Sequence, residues 1–427
     1  MVIKISTVEI TPGLLSGSID VPPSKSDMHR AIICAALSEG ISEVSPVYLS
    51  DDIVATIEAV RKVGADVEIR GKSLIICGAG VPENWSANVD CRESGSTLRF
   101  MIPIFAAKGI KTSFTGRGNL PNRPMKVYTQ CLPKHGVCCK TNSGVVLEIS
   151  GKLNGGDFPI SGEISSQFIS GLMFALPLLD ADSKIILTTP LQSRRYVDMT
   201  IKTLRSFGIG IEQNNNEYII KGNQRYVPCK YNVESDWSQA AFFMVAGAIG
   251  SPISVRGMNL DSAQGDKVIV DILEQFGAII RQENNEIAVQ PNRLIGAEIS
   301  AKDIPDLVPI LAVLGALSEG TTKIIDAQRL RIKESDRLEA ICEGLSRLGA
   351  KIEQTKDGLL INGVNEFRPA NLSGFNDHRI VMALSIASMR AKGKITITDA
   401  DSVNKSYPNF FEDYKKLGGL TNVINLG

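Results

Sequence analysis

Hydrophobic and polar positions alternate between short strand-like and longer helix-like stretches along the chain, and this alternation repeats. One recurring element is a helix-ending motif, in which an apolar residue or His precedes Gly and β-prone residues follow. The six glycines are Gly64, Gly136, Gly208, Gly277, Gly349 and Gly418, at spacings of 72, 72, 69, 72 and 69 residues. Because glycine is favoured at the left-handed position that ends a helix, the motif predicts six helix ends at one period.

Five of these glycines precede two short β-prone runs, which predict a two-stranded hairpin. Residues 66–69 and 74–77 form one such pair. Residues 351–354 and 359–362 form another, with Asp357-Gly358 at a typical hairpin turn.

A second marker, a polar cluster that opens an apolar helix, has the same period. The clusters begin at Ser24, Ser94, Ser165, Ser235, Asp306 and Asp377, which are 70, 71, 70, 71 and 71 residues apart. Ser and Asp at such positions are typical N-caps. The helix that follows is apolar almost all round, as in residues 239–249, whereas the second helix of a repeat, as in residues 267–276, needs only one covered face. Each repeat is therefore predicted to be a βαβαββ unit with its first helix inside.

Six repeats of this length make either one long solenoid or two compact domains of three repeats. Single hydrophobic cores stop growing beyond about 250–300 residues, which favours two α/β domains. The boundary is expected near residues 232–235.

Composition excludes several function classes. The 427 residues carry 46 Lys plus Arg and 46 Asp plus Glu, a balance that argues against a dedicated nucleic-acid binder or an anionic-membrane protein. The uncharged run 237–255 is long enough to raise the question of a membrane span. It contains Gln239 and Pro252, so a buried helix followed by a turn is predicted.

The cysteines and the N-terminus indicate the compartment. Eight scattered cysteines lack metal-ligand spacing, and we interpret them as reduced core residues of a cytoplasmic protein. Residues 1–6 lack the basic start and apolar stretch of a signal peptide.

Charged residues near the helix starts and in comparably placed loops suggest an anion site. The cations are Lys25, Arg30, Arg123, Lys333, Arg337, Arg379 and Lys405. Two carboxylates, Asp306 and Glu334, stand among them and suit general acid–base chemistry. Helix N-termini that point the same way would add affinity for phosphate or carboxylate. Seven cations minus two carboxylates leave an excess of five, close to the charge of two small phosphocarboxylates, roughly −5 to −6.

The motifs resemble those of the 5-enolpyruvylshikimate-3-phosphate synthase family along essentially the whole chain. They are PPSKSDMHR, ESGSTLR, NRPM, SSQF, DIPD, RIKESDR, NDHR and NKSYP, in the family's order and spacing. The resemblance implies a two-domain inside-out α/β barrel, with three βαβαββ repeats in each domain and the active site in the interdomain cleft. It also implies that the first strand crosses over, so that the N-terminal domain spans 22–234 and the C-terminal domain combines 1–21 with 235–427.

The family transfers the enolpyruvyl group of phosphoenolpyruvate to the 5-hydroxyl of shikimate 3-phosphate and releases phosphate, on the route to chorismate and aromatic amino acids. The resemblance therefore implies a cytoplasmic enzyme that needs no metal or organic cofactor and binds neither nucleic acid nor membranes. We expect a monomer.

Site residues follow from the resemblance motif by motif. Shikimate 3-phosphate would be bound by Lys25, Ser26, Arg30, Ser165, Ser166, Gln167, Ser193, Tyr196, Asp306 and Lys333. Phosphoenolpyruvate would be bound by Lys25, Gly95, Arg123, Gln167, Arg337, Arg379 and Lys405. Within the catalytic set, Asp306 would accept the hydroxyl proton, Glu334 would protonate the methylene carbon, and Lys25 would assist them.

Four residues depart from the family's usual pattern: Glu93, Ser96, Phe100 and Arg329. The family commonly has an amide or small residue, Thr, Pro and Asn at these positions. The departures bear on the phosphoenolpyruvate loop and on sensitivity to glyphosate, which occupies the phosphoenolpyruvate site.

Two other functions remain compatible with the sequence. UDP-N-acetylglucosamine 1-carboxyvinyltransferase shares the fold but commonly uses a loop cysteine, and no cysteine lies between Cys91 and Cys131. A non-catalytic repeat protein that binds phosphorylated ligands would need no acid–base pair. A structure in which Asp306 and Glu334 lie far from the cations would favour this non-catalytic function.

Overall fold

A computed structural model describes residues 5–78 and 85–426, so residues 1–4 of the N-terminal segment considered above lie outside the described residues. The α-helices are α1 (Lys25–Leu37), α2 (Asp51–Lys62), α3 (Gly95–Ala107), α4 (Lys126–Cys131), α5 (Ser166–Ala175), α6 (Arg194–Ser206), α7 (Trp237–Ile249), α8 (Ile269–Phe276), α9 (Val308–Ala316), α10 (Arg337–Arg347), α11 (His378–Ala387) and α12 (Phe410–Lys416).

The first helix of each repeat is buried almost completely, as its apolar pattern predicts. In α7 all 13 residues are buried, and the helix ends before Gly250. The run 237–255 is therefore a buried helix and the strand after it. Within residues 5–78 and 85–426, no helix has the length and apolar character needed to cross a membrane.

The second helices are amphipathic, and the motif glycines end helices as predicted. All six have left-handed backbone, with φ between 79° at Gly208 and 99° at Gly277. A side chain would be strained in this conformation, which explains why glycine recurs there.

The strands are β1 (Ile5–Thr11), β2 (Gly17–Asp20), β3 (Gly40–Ser45), β4 (Asp66–Arg70), β5 (Ser73–Gly78), β6 (Ser86–Asp90), β7 (Lys111–Thr115), β8 (Cys138–Asn142), β9 (Val145–Ser150), β10 (Gly156–Ile160), β11 (Ser183–Leu187) and β12 (Glu212–Asn214). They continue as β13 (Glu217–Ile220), β14 (Lys230–Asn232), β15 (Ile253–Arg256), β16 (Ile279–Glu283), β17 (Glu286–Gln290), β18 (Glu298–Ser300), β19 (Thr321–Ile325), β20 (Lys351–Gln354), β21 (Leu359–Asn362), β22 (Asn371–Leu372), β23 (Ile395–Thr398) and β24 (Leu420–Leu426).

The described strands form six four-stranded sheets with a common plan. In the second repeat, β6 pairs in parallel with β7 across the buried helix α3, with Asp90 opposite Thr115. β7 then pairs antiparallel with β9, and β9 pairs antiparallel with β8. The sheets that contain β6, β10 and β18 thus each join a βαβ crossover to a hairpin.

Three strands are supplied from distant parts of the chain. β2 precedes α1 but pairs with β15, with Ile19 opposite Val255. β14 precedes α7 but pairs with β3, with Tyr231 opposite Val44. β1 lies between β23 and β24, which explains why the sixth motif glycine precedes a single strand and no local hairpin.

Contacts within the chain divide it into two compact units. The C-terminal unit combines Met1–Pro22 with Ser235–Gly427, and the N-terminal unit is Pro23–Glu234. Each has its own hydrophobic core around its buried helices. The predicted class, a two-domain α/β fold of βαβαββ repeats with the first helices inside, is confirmed.

The expectation that all cysteines are core residues is wrong. Cys34, Cys91 and Cys131 are buried, but Cys77 and Cys138 are exposed, and the remaining three are partly exposed. Alternate residues of a strand face opposite sides, and Cys77 and Cys138 lie at solvent-facing positions of β5 and β8.

Candidate active site

Arg337 organises the charged cluster of the C-terminal unit. It is the first residue of α10, which Asp336 caps by accepting hydrogen bonds from the N–H groups of the next turn. Its guanidinium is 1% exposed and donates to Asp306 at 2.8 Å, to Glu334 at 2.7 Å and to Asp377 at 2.8 Å. Burial alone would lower the pKa of Arg337. The three carboxylates raise it by more, so the net shift is upward and the side chain stays charged.

Asp306 lies in a 3-10 turn, Pro305–Leu307, directly before α9. The expectation that it caps this helix is wrong, because its carboxylate turns instead towards cations. One oxygen accepts from Arg337 and lies 3.7 Å from Lys333, and the other lies 3.3 Å from Arg379. Burial alone would raise the pKa of Asp306. The surrounding cations, Arg379 first, outweigh burial and hold this pKa well below its ordinary value.

Asp377 is a third carboxylate of this cluster, which the sequence identified only as a helix start. It is fully buried and caps α11 by accepting from the N–H of Arg379 at 2.9 Å. The same side chain accepts from Ser335 Oγ at 3.0 Å and from the Arg337 guanidinium. It therefore joins the starts of α10 and α11.

Lys405 completes the cations of the C-terminal unit. It ends the 3-10 turn Ala400–Lys405 and is 7% exposed. Its Nζ donates to the carbonyl oxygen of Asn376 at 2.6 Å, next to Asp377. Asn376 has left-handed backbone, with φ 49°, which allows the chain to turn immediately before α11.

The charge balance is closer to neutral than the sequence count. Four cations and three carboxylates, Asp306, Glu334 and Asp377, leave an excess of one in the C-terminal unit. In the N-terminal unit, Lys25 Nζ donates to Asp52 of α2 at 2.7 Å. The count of five is too high because it omits Asp52, which lies outside the motifs, and Asp377, which the sequence predicts only as a helix start.

In the N-terminal unit, Arg30 brings together residues that the resemblance assigns to shikimate 3-phosphate. Its guanidinium donates to the carbonyl oxygen of Ser26 at 2.6 Å, to that of Tyr196 at 2.9 Å and to Thr200 Oγ1 at 2.8 Å. Phe100 lies under it, 5.2 Å from the ring centroid. Burial lowers the pKa of Arg30 to about 10, which leaves it charged at neutral pH.

Ser193 is buried immediately before α6, with left-handed backbone at φ 55°. Ser165 caps α5 by accepting from the N–H of Gln167, and Ser166 is buried as the first residue of that helix. The three serines thus lie at the starts of two helices, where hydroxyls and N–H groups suit a phosphate.

Gln167 belongs to a side-chain network that the sequence did not reveal. Its Oε1 accepts from Arg99 at 2.6 Å, and its Nε2 donates to Ser96 Oγ at 2.9 Å. Arg99 also lies over the Phe168 ring, 5.0 Å from the centroid. Ser96, which replaces the Thr common in the family, therefore accepts a hydrogen bond from Gln167, and Arg99 fixes the other end of the same amide.

Arg123 closely approaches the backbone of Gly95. It is the first residue of α3, which Ser94 caps, and Arg123 is 7% exposed. A Cβ at Gly95 would lie 2.8 Å from Arg123 Nη1, so any side chain would displace the guanidinium.

Two other residues that differ from the family's usual pattern are Arg329 and Glu93. Arg329 donates to the carbonyl oxygen of Lys302 at 2.7 Å. Glu93 lies against Gly118, outside the helix itself.

The fold is that of the enolpyruvyl transferases. An EPSP synthase from Acinetobacter baumannii superposes with a TM-score of 0.83 at 27% identity, covering 98% of this chain and 100% of that one. The enolpyruvyl transferase NikO from Streptomyces tendae superposes with a TM-score of 0.81 at 18% identity, covering 99% of this chain and 100% of that one, and shows the fold alone.

The family is shown by sequence. The protein-family model for EPSP synthase (3-phosphoshikimate 1-carboxyvinyltransferase) matches residues 10–414 of the sequence. The 3-phosphoshikimate 1-carboxyvinyltransferase of Clostridium perfringens is 48% identical over 97% of this chain and 98% of its own, and that of Clostridium novyi is 46% identical over 99% and 100%. The chain belongs to the EPSP synthase family.

Loss of Asp377 should destabilise the C-terminal unit. Removing one partner of a buried ion pair typically costs 3–5 kcal/mol, so Asp377→Ala is expected to lower the free energy of unfolding by about 3 kcal/mol or more. The matched control is Glu343→Ala, which removes the exposed partner of Arg347 and should change it by less than about 1 kcal/mol. Urea unfolding followed by circular dichroism measures both. Equal effects would contradict the role assigned to Asp377.

Proposed function

We propose that this chain is a 3-phosphoshikimate 1-carboxyvinyltransferase, which transfers the enolpyruvyl group of phosphoenolpyruvate to the 5-hydroxyl of shikimate 3-phosphate and releases phosphate. The observation that carries the proposal is the pairing of Asp306 and Glu334 with one buried arginine, Arg337, beside Lys333. An acid–base pair set among cations suits a reaction between anionic substrates. It does not suit a non-catalytic scaffold, for which the carboxylates would lie away from the cations.

Asp306 is assigned as the base that accepts the proton of the 5-hydroxyl. Its low pKa keeps it ionised at neutral pH, but a carboxylate held by three cations is a weak base. The phosphate and carboxylate of phosphoenolpyruvate would compete for those same cations. As the substrate neutralises them, the pKa of Asp306 would rise towards its ordinary value, which couples basicity to occupancy of the site.

Glu334 is assigned as the acid that protonates the methylene carbon of phosphoenolpyruvate. It pairs with Arg337 as a carboxylate, so it must take up a proton before it can act. Protonation creates cationic character at C2, where the 5-hydroxyl attacks as its proton passes to Asp306. The tetrahedral intermediate then loses phosphate, which takes the proton held by Asp306, and a methyl proton, which returns to Glu334, so that the enol ether is restored. Lys333 and Lys25 would stabilise the negative charge that develops at the hydroxyl and the departing phosphate.

The other substrate contacts are assigned to the remaining motif residues. We assign the carboxylate of shikimate 3-phosphate to Ser26 and Arg30, its phosphate to Ser165, Ser166 and Ser193, and its ring to Gln167 and Tyr196. Phosphoenolpyruvate is assigned to Lys25, Gly95, Arg123, Gln167, Arg337, Arg379 and Lys405. The bonds from Arg30 to the backbone of Ser26 and Tyr196 support the first assignment, since they fix these groups in one place.

We further propose that the two domains of the enzyme are 22–234 and 1–21 with 235–427, which differ from the compact units only in the placement of Pro22. We place the enzyme in the cytoplasm as a monomer. The alternative acceptor UDP-N-acetylglucosamine is not favoured, because the family model and the relatives carry the 3-phosphoshikimate name.

Phosphate release should require both substrates. We expect release when shikimate 3-phosphate and phosphoenolpyruvate are present together, and none with either alone, because the intermediate needs both. A coupled phosphate assay measures this, with glyphosate titrated against phosphoenolpyruvate. Release supported by UDP-N-acetylglucosamine in place of shikimate 3-phosphate would overturn the assignment.

Asp306→Asn should separate catalysis from binding. The amide keeps the size of the side chain but cannot accept the hydroxyl proton, so kcat should fall by about 10²- to 10⁴-fold. Binding of shikimate 3-phosphate, measured by calorimetry, should change little. Asp271→Asn, on the exposed side of α8, is the matched control and should keep its kcat. An undiminished kcat in Asp306→Asn would remove Asp306 from the proposed role.

A further inference from the structure

Asp266 is a buried carboxyl that the mechanism above does not use. It lies in the 3-10 turn Gly265–Val268, which leads into α8, and is 2% exposed. Oδ2 accepts a short hydrogen bond from Ser238 Oγ in the first turn of α7. Oδ1 is buried and has no hydrogen-bond partner among the described residues. A buried carboxylate with a single hydrogen-bond donor and one unpartnered oxygen is poorly stabilised as an anion, so this geometry favours the neutral acid.

The charges around Asp266 also favour the protonated form. Asp306 and Asp236 are the anions that act on it, and Arg379 is the opposing cation. On α8, the other helix packed against this turn, Asp271 and Glu274 are exposed to solvent. Burial, followed by the charge of Asp306, raises the pKa of Asp266 to about 7, although Arg379 and the Ser238 hydrogen bond oppose this shift.

Ionisation of Asp266 would change the charge available to a ligand. Arg379 acts electrostatically on Asp266 and is one of the cations assigned to phosphoenolpyruvate. Ionised Asp266 would add a further negative charge to the carboxylates already paired with these cations. An anionic ligand held by these cations would therefore bind more weakly when Asp266 is ionised.

We propose that Asp266 is a positioning residue that holds a proton beside Asp306 and Arg379, and that loss of this proton weakens binding of phosphoenolpyruvate. The inference rests on the proposed function, which places phosphoenolpyruvate on Arg379. By reciprocity, binding of phosphoenolpyruvate drives proton uptake by Asp266. The residue acts through the cluster and does not contact the reacting atoms.

The pH dependence of the KM for phosphoenolpyruvate tests this inference at saturating shikimate 3-phosphate. In the wild type, the KM should rise about tenfold between pH 6 and pH 9, which corresponds to a shift of one pKa unit on binding. Asp266→Asn should reduce this rise to less than about threefold. Asp271→Asn should behave like the wild type. Protonation of the substrate itself affects the KM of all three proteins equally. The test is therefore the difference between their KM profiles.

A purely structural role would lower kcat or stability at every pH and leave the shape of the profile unchanged. The same rise in Asp266→Asn as in the wild type overturns the inference. Ser238→Ala supplies a second variant, because ionised Asp266 then loses a hydrogen bond and the rise in KM should move to higher pH. A rise at unchanged pH in Ser238→Ala would also contradict it.

Calorimetry distinguishes failure of the inference from failure of the proposed function. Phosphoenolpyruvate is titrated into the wild type without shikimate 3-phosphate, at pH 7.5, in buffers of different ionisation enthalpy. Proton uptake on binding is expected in the wild type and Asp271→Asn, and it should be lost in Asp266→Asn. Equal uptake in all three overturns the inference even if turnover is normal. Uptake without turnover would retain it and contradict the proposed function alone.

Discussion

The buried guanidinium of Arg337 is the interaction on which the C-terminal site depends. Three carboxylates from three segments meet on this one side chain, 1% exposed. Removing a charge from water is unfavourable unless the charge is paired and fully hydrogen-bonded, and the planar fork of arginine can satisfy several carboxylates at once. The starts of α10 and α11 and the turn before α9 are therefore held in one arrangement, which places Asp306 and Glu334 among the cations.

The fold supplies these segments because each repeat places a polar helix start after a strand. Five helices of this kind are capped by a Ser or Asp side chain. At the sixth start, Asp306 does not cap the helix, because its carboxylate pairs with Arg337. In the N-terminal unit, Arg30 and Arg99 act similarly: Arg30 donates to the carbonyl oxygen of Tyr196 in α6, and Arg99 donates to the side chain of Gln167 in α5.

The repeat and its helix ends could be predicted from sequence because they depend on local patterns: apolar periodicity, N-caps and left-handed glycines. The exchange of β2 and β14 could not be derived from periodicity, since it pairs residues more than 180 positions apart, such as Tyr231 and Val44. The motifs predicted that Asp306 and Glu334 lie among cations, and the structure places them beside Arg337 and Arg379. Asp52 and Asp266 were not predicted, and Arg99 was not singled out although it ends the motif ESGSTLR, because their importance arises from burial and from partners on other helices. Asp377 was predicted only as a cap.

The central claim is that the forked geometry of Arg337, and not its charge alone, organises the site. Arg337→Lys preserves the charge but cannot bond three carboxylates. The account predicts that kcat/KM for phosphoenolpyruvate falls by about a hundredfold or more in the phosphate-release assay, in protein that is folded by circular dichroism. Arg347→Lys, on the exposed face of the same helix, should keep the wild-type value. Retention of kcat/KM within about threefold in Arg337→Lys would contradict the account.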